Sequence, residues 1–220
     1  MILLIPAAFA DTCEGYGKEE ALPTMTDESV DEASGLVELR TRPGIWVTHN
    51  DAGGGPALYV FNLDGELLKI LSIAGATHDD WEDITAGPCP ISNQQCLFIG
   101  DIGDNSNDRE SIIVYAVPEP TEDDISLSVE ATWEVTYPDE PEDSEALVYH
   151  PCEGRLQLVT KVSNAPAEVW AFPIEPGKGE LTLVAEIDLY AYKLGNYRVT
   201  GADWDDTGER LAIRTYANIL

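Results

Sequence analysis

The chain reads as all-β, and specifically as a β-propeller of four-stranded blades. Three observations predict this. Short apolar runs rich in Val, Ile, Tyr and Trp recur between Asp/Asn/Gly/Pro turns, with almost no sustained helical period. The runs group in fours, and the groups repeat roughly every 50–60 residues, near the period of propeller blades. Finally, one four-stranded meander cannot bury both of its faces, whereas blades packed around an axis can. A β-sandwich of eight or more irregular strands is the competing architecture. The position-by-position correspondence between units favours the propeller.

Taken in order, the first unit is SGLVEL, GIWVTHNDAG, ALYVFNLDG and ELLKILSI. The second is WEDITAG, CLFIGDIGDN, SIIVYAVPEP and ATWEVTYP, and the third SEALVYHP, RLQLVTK, AEVWAFPIEPG and ELTLVAEI. A fourth unit opens with TGADWDDTGERLAIRTYANIL and supplies two strands. About three and a half blades are therefore present. Propellers usually have 4 to 8 blades, so the expectation is a fragment of a larger propeller, residues 32–220 being its domain.

The start of the chain reads differently. Residues 1–10 are apolar and end in Ala8-Phe9-Ala10, the small-x-small pattern of a signal-peptide cleavage site, although no basic segment precedes them. Residues 11–31 form an acidic, unpatterned leader, or a strand that completes a sheet elsewhere. Cys13 follows Asp11-Thr12, which argues against a lipid anchor. No later stretch has the length and apolarity of a membrane-spanning helix. The expected location is secreted, extracellular or periplasmic.

The chain has 220 residues, of which 44% are hydrophobic, with 5 Trp and 9 Tyr, enough for one domain with a proper core. It carries 41 acidic against 12 basic residues, a formal net charge of -29. That field repels nucleic acid and anionic lipid and attracts cations. A solubilising surface is the alternative use of the same charge.

Of the four cysteines, Cys89 and Cys96 flank a short turn between two expected strands and can close a small disulfide loop. Cys13 and Cys152 remain, free to pair with each other or elsewhere. A zinc site is not expected: there is no CxxC, and His49, His78 and His150 lie far apart in sequence.

Aligning the units places Ser34, Glu82, Glu145 and Gly201 or Asp203 at the opening of each first strand. First strands line the axis of a propeller, so these positions should converge. Glu82 and Glu145, with Asp83 beside the first, are candidate oxygen ligands for a hard divalent cation; Ca²⁺ takes 6–8 oxygens in flexible geometry. The other reading is that they accept backbone N–H groups. Second strands end in Asn50 and Asp51, then Asp101, Asp104 and Asn105, then Lys161, then Arg214, all expected in loops on one face. Asp101, Asp104 and Asp203 join the candidate metal set. GDIGDNSNDRE has the composition of a calcium loop but not the EF-hand spacing, since Arg109 and Tyr115 occupy its glycine and terminal glutamate positions. Turn chemistry is the simpler account of Asp108.

Lys161 and Arg214 each end an apolar strand, where a charge needs a carboxylate or an anionic ligand beside it. They are read as salt-bridge partners of Glu82, Glu145 or Asp203, or as a cradle for a small anionic ligand. His49 is the candidate general base near such a cradle, with a structural hydrogen bond as the alternative. No GxSxG elbow, phosphate loop or dinucleotide fingerprint is present. Gly53–Gly55 reads as a hairpin loop, and the tryptophans as blade packing.

The SGL, WEDI and SEAL openings, followed by WVTHND, LFIGDIGDN, LQLVTK and LAIRTY, resemble a group of secreted bacterial β-propeller proteins over about residues 32–220. More distantly, the Glu-led first strands are similar to the calcium-dependent phytase-like and gluconolactonase-like propellers. The resemblance implies five to seven blades, most often six or seven, and a cation on the axis. It implies hydrolysis only weakly, because neither enzyme family's full ligand set is matched. Three functions follow as expectations: a Ca²⁺-binding module presenting a face to a ligand or extracellular protein; a calcium-dependent hydrolase of phosphate esters or lactones; or a structural propeller without metal.

Overall fold

The computed structural model describes residues 21–163, 165–192 and 196–220. The segment read as a signal peptide, and Cys13, lie outside these residues. Among the described residues there are sixteen strands and a single helical element, one turn of 3₁₀ helix.

Blade 1 is the meander β1 (Ala33–Glu38), β2 (Ile45–Asn50), β3 (Ala57–Asn62) and β4 (Leu67–Ala74). Blade 2 consists of β5 (Trp81–Pro88), β6 (Gln95–Asp101), β7 (Ile112–Pro118) and β9 (Ala131–Thr136). Blade 3 consists of β10 (Ser144–His150), β11 (Arg155–Thr160), β12 (Ala167–Ala171) and β14 (Thr182–Ile187). The first two strands of a fourth blade follow, β15 (Val199–Trp204) and β16 (Leu211–Thr215). All pairings within a blade are antiparallel, the signature of a propeller meander.

The alternation of side chains explains why these runs are apolar on both faces. In β6, Leu97 and Ile99 join a core shared with blade 1, while Cys96 and Phe98 join a core shared with blade 3. In β7, Val114 and Ala116 turn towards blade 3, and Tyr115 and Val117 towards blade 1. A third core, built on Val159, Val169, Val199 and Ile213, closes blade 3 on blade 4. A strand covered on both sides loses its polar alternation and reads as a continuous apolar run.

Two strands have no counterpart in the sequence reading. β8 (Ser126–Ser128) adds in parallel to β4, and β13 (Gly177–Glu180) adds in parallel to β9. Each comes from the connection between the third and fourth strands of one blade and laces the outer edge of the blade before it. Covering an outer edge in this way removes unpaired backbone from solvent.

The described part of the leader is not a strand. Thr24 and Met25 pack against Gly65 in the β3–β4 turn, where an added Cβ would lie 3.0 Å from Thr24, and Ser29 and Asp31 accept hydrogen bonds from Asn50 Nδ2, both at 3.0 Å. Residues 24–31 therefore lie along blade 1.

One irregularity repeats in every blade. Pairing jumps from Ala33↔Asn50 to Leu36↔Thr48, from Trp81↔Asp101 to Asp83↔Gly100, from Ser144↔Thr160 to Ala146↔Val159, and from Val199↔Thr215 to Gly201↔Arg214. Each inner strand thus carries a β-bulge, one extra residue that bends the strand and re-aims a side chain. The extra positions are Ser34, Glu82, Glu145 and Thr200. In the fourth blade the equivalent residue is Thr200, which corrects the expected Gly201 or Asp203; a bulge shifts register in a way that spacing alone does not reveal.

Candidate metal centre

The bulges sit at one end of the inner strands, where in blades 1 to 3 the residue after the second strand bonds back to the residue before the first. Asp51 N donates to Glu32 O (2.8 Å), Ile102 N to Asp80 O (3.2 Å) and Lys161 N to Asp143 O (2.8 Å). This repeated bond makes Asp51, Ile102 and Lys161 equivalent, and likewise Glu32, Asp80 and Asp143. A D-x-E pattern therefore opens blades 2 and 3: Asp80-Trp81-Glu82 and Asp143-Ser144-Glu145.

Trp81 explains the orientation of its neighbours. Its ring is fully buried in the core between blades 1 and 2, and Nε1 donates to Thr77 O at 3.0 Å. With Trp81 turned into the core and Glu82 re-aimed by the bulge, the carboxylates of Asp80 and Glu82 come together against Gly103. There they meet Asp51, whose carbonyl accepts bonds from Trp81 N (3.1 Å) and His78 Nε2 (2.9 Å). One carboxylate oxygen from each of Asp51, Asp80 and Glu82 lies within 4.8 Å of the others. Asp51 Oδ1 is buried without a hydrogen-bond partner.

Gly103 makes room for the group. A Cβ there would sit 2.4 Å from Asp80 Oδ2 and 2.6 Å from Glu82 Oε1, so the two carboxylates lie directly on its backbone. The crowding of like charges in a partly dry site favours the protonated carboxyls. Burial, then the charges of Glu145, Asp51 and Asp80, push Glu82 up to about 9. Burial and Asp51 push Asp80 up to about 6. Burial raises Glu145 as well, against the pull of Lys161.

The neighbouring position in blade 3 carries its own cation. Lys161 Nζ pairs with Glu145 and reaches Asp143 at 3.6 Å, with all three side chains 13% exposed or less. Burial alone would lower the lysine, but its bond to Glu145 and the charges of Glu145 and Asp143 outweigh that and raise it. Of the salt-bridge partners expected for Lys161, Glu145 is the one found. Asp143, absent from the sequence candidates, is the second. In blade 2 the residue equivalent to Lys161 is the apolar Ile102, so Asp80 and Glu82 lack the ammonium that their blade-3 counterparts have, and Asp51 of the neighbouring blade brings them a third carboxylate instead.

The remaining candidates are occupied otherwise. Asp101 is fully buried and accepts from Arg109 Nη2 (2.9 Å) and from the amides of Asp79 and Asp80 (both 3.2 Å). Asp104 accepts from the amides of Asp108 (3.0 Å) and Arg109 (2.9 Å), a turn of the kind expected for this loop. Asp83 stitches blade 2 to blade 3 by accepting from Leu147 N (2.9 Å) and Ile84 N (2.9 Å); burial pushes it up to about 7 despite those bonds. Asp203 pairs with Ala212, further along β15, and is not part of the carboxylate group. Arg214 donates to Thr200 Oγ1 (3.1 Å) and Thr200 O (2.6 Å) rather than to a carboxylate. His49 is completely buried, edge-on to Trp81 with ring centroids 5.7 Å apart, and burial pushes it down to about 4. Its Nδ1 lies 3.0 Å from Asn50 O, the structural hydrogen bond expected as the alternative to a general base.

The missed residue in the three-carboxylate group is Asp80. Its signal was the D-x-E repeat, visible once the units are offset by the bulge. Asp51 stood among the second-strand ends, and Glu82 among the first-strand openings. The geometry suits a hard cation: an oxygen-only donor set, without His or Cys, carrying surplus negative charge.

No protein-family model matches the chain, and no curated protein does. Among solved structures it is similar to a chain of a crystal structure of the mitotic checkpoint complex (13% identity, TM-score 0.39, covering 83% of this chain and 46% of that one). It is also similar to a structure of the Dos1 propeller (9% identity, TM-score 0.36, covering 82% and 52%). The chain thus spans about half the length of these solved chains. The propeller assignment rests on the blade topology itself.

Proposed function

We propose that this propeller module binds one Ca²⁺ ion between Asp51, Asp80 and Glu82, and presents the surrounding face to a ligand or extracellular protein. The observation that carries the reading is the convergence of three carboxylates within 4.8 Å, next to a blade where a lysine neutralises the equivalent pair. Bringing such charges together costs free energy unless protons or a cation offset it. Main-chain carbonyls and water would complete the coordination. Secretion belongs to the same reading; the Cys89–Cys96 disulfide and the millimolar calcium of extracellular fluids are in keeping with it.

The test is a terbium(III) titration, read by emission sensitised through Trp81 and by displacement with calcium. One site is expected, lost in Asp51→Asn and Glu82→Gln. Gly103→Ala should also lose it, because a methyl group there displaces two ligands. Several weak sites that survive all three substitutions would show that the acidic surface, not this group, binds the ion.

The hydrolase reading has less support. Lys161 is held by two carboxylates, Arg214 by Thr200, and His49 is sealed in the core, so no free cation or base stands beside the carboxylate group among these candidates. Calcium-dependent release of phosphate from a phosphomonoester, abolished by Glu82→Gln, would restore it.

A further inference from the structure

At the end of the blades away from the carboxylate group, a groove of about 180 Å³ opens along the seam between blades 2 and 3. Its floor is aromatic: Phe98, Trp133 and Tyr149, with Phe98 and Tyr149 stacked 6° from parallel at 5.9 Å. Gly87 is needed for this floor, since a Cβ on it would lie 2.8–3.0 Å from the Tyr149 ring. Pro90 and Ile174 stand at the rim, and Ile174 is 65% exposed.

The β5–β6 turn beside the groove holds Ile91 out into solvent, 69% exposed. This turn is fixed from both sides. The Cys89–Cys96 disulfide closes its base, and the Glu130 carboxylate accepts from Ile91 N (3.1 Å), Ser92 N (2.9 Å) and Ser92 Oγ (2.9 Å). An exposed isoleucine on a clamped turn, next to an aromatic-floored slot of mixed polarity with a second exposed isoleucine, has the form of a preorganised docking surface, in which little ordering entropy remains to be lost on binding.

Charge and size decide the occupant. A second copy of the chain would bring another net charge of -29 against the first, and an anionic membrane is disfavoured for the same reason. The slot is below the roughly 300–1,000 Å³ of small-molecule pockets and suits one or two side chains. Arg155, at the groove, is already paired with Glu153 at 2.7 Å, and Glu175 lines the edge, so the local field is not positive. We propose that this groove docks an extended polypeptide segment carrying apolar anchors between basic residues, with Ile91 and Ile174 as the contact points. The proposal is independent of the cation.

The experiment is fluorescence anisotropy with a labelled peptide Lys-Lys-Pro-Leu-Pro-Leu-Lys-Lys, against an oligolysine of equal charge, at low and high salt. The apolar peptide should bind more tightly than oligolysine and persist at high salt, and Ile91→Asp and Ile174→Asp should each weaken it about tenfold, as loss of an interface anchor does. Both substitutions are at exposed positions, and unchanged thermal midpoints confirm that the fold survives. The proposal is overturned if neither peptide binds, if both bind equally and release together with salt, or if the aspartates change nothing. Self-association in sedimentation, removed by Ile91→Asp, would assign the surface to a second copy instead.

Discussion

Glu82 is the residue on which the account can be read most directly, because its environment favours the proton over the charge. Its carboxyl is raised to about 9 in the fold, from an ordinary value near 4.5. A group that binds its proton more tightly in the folded state stabilises fully below the unfolded value, and that stabilisation is lost as pH rises through the folded one. Metal-free protein should therefore lose stability between pH 7 and 9. That window lies above the ranges of Asp80, raised to about 6, and of His49, lowered to about 4, while Asp83, raised to about 7, overlaps its lower end and titrates equally in the parent chain and in a Glu82 variant. Glu82→Gln removes the titration, so thermal melts in chelator should show a flatter pH slope, with a midpoint a few degrees higher at pH 9. An unchanged slope would mean that Glu82 is solvated and its neighbours irrelevant.

Lys161 is the complementary case. Replacing it by Met leaves Asp143 and Glu145 facing each other without compensation, an effect of about 3 kcal/mol for a broken buried pair. A double variant, Lys161→Met with Glu145→Gln, should recover a large part of the loss, as measured by denaturant unfolding.

At the scale of elements, the strands were legible and the lacing was not. Every four-strand meander followed from apolar runs and turn residues, because strands covered on both faces leave that pattern in the sequence. β8 and β13 left none. Ser126–Ser128 and Gly177–Glu180 become strands only because an outer edge of the preceding blade lies beside them, a long-range effect that local composition does not carry. The bulges hid in the same way: they shifted the fourth blade's equivalent residue to Thr200 and kept Asp80 and Asp143 out of the candidate lists. The Cys89–Cys96 bridge was legible from its short spacing across a hairpin turn. Replacing both cysteines by Ala should lower stability by about 2 kcal/mol, the chain-entropy value for so short a loop. A larger fall would indicate that the disulfide also holds the aromatic floor beneath it.

For the whole molecule, the candidate site was half visible. Glu82 was placed on chemistry and position, and Asp51 stood in a second set, but their meeting depends on two blades packing side by side through the Trp81 core. Asp101 and Asp104 were attractive for their composition, yet the fold uses them to hold Arg109 and a turn. The net charge of -29 pointed to cations without singling out any group of carboxylates.

The most direct test of the central claim is the thermal midpoint of the parent chain, Asp51→Asn and Glu82→Gln at pH 7.5, in millimolar calcium and then in chelator. An ion present at ~100 times its Kd adds about 2.7 kcal/mol, or ~5–10 °C for a domain of this size. The account predicts that rise in the parent chain and its loss in both variants. No rise, or a rise that both variants keep, would contradict it.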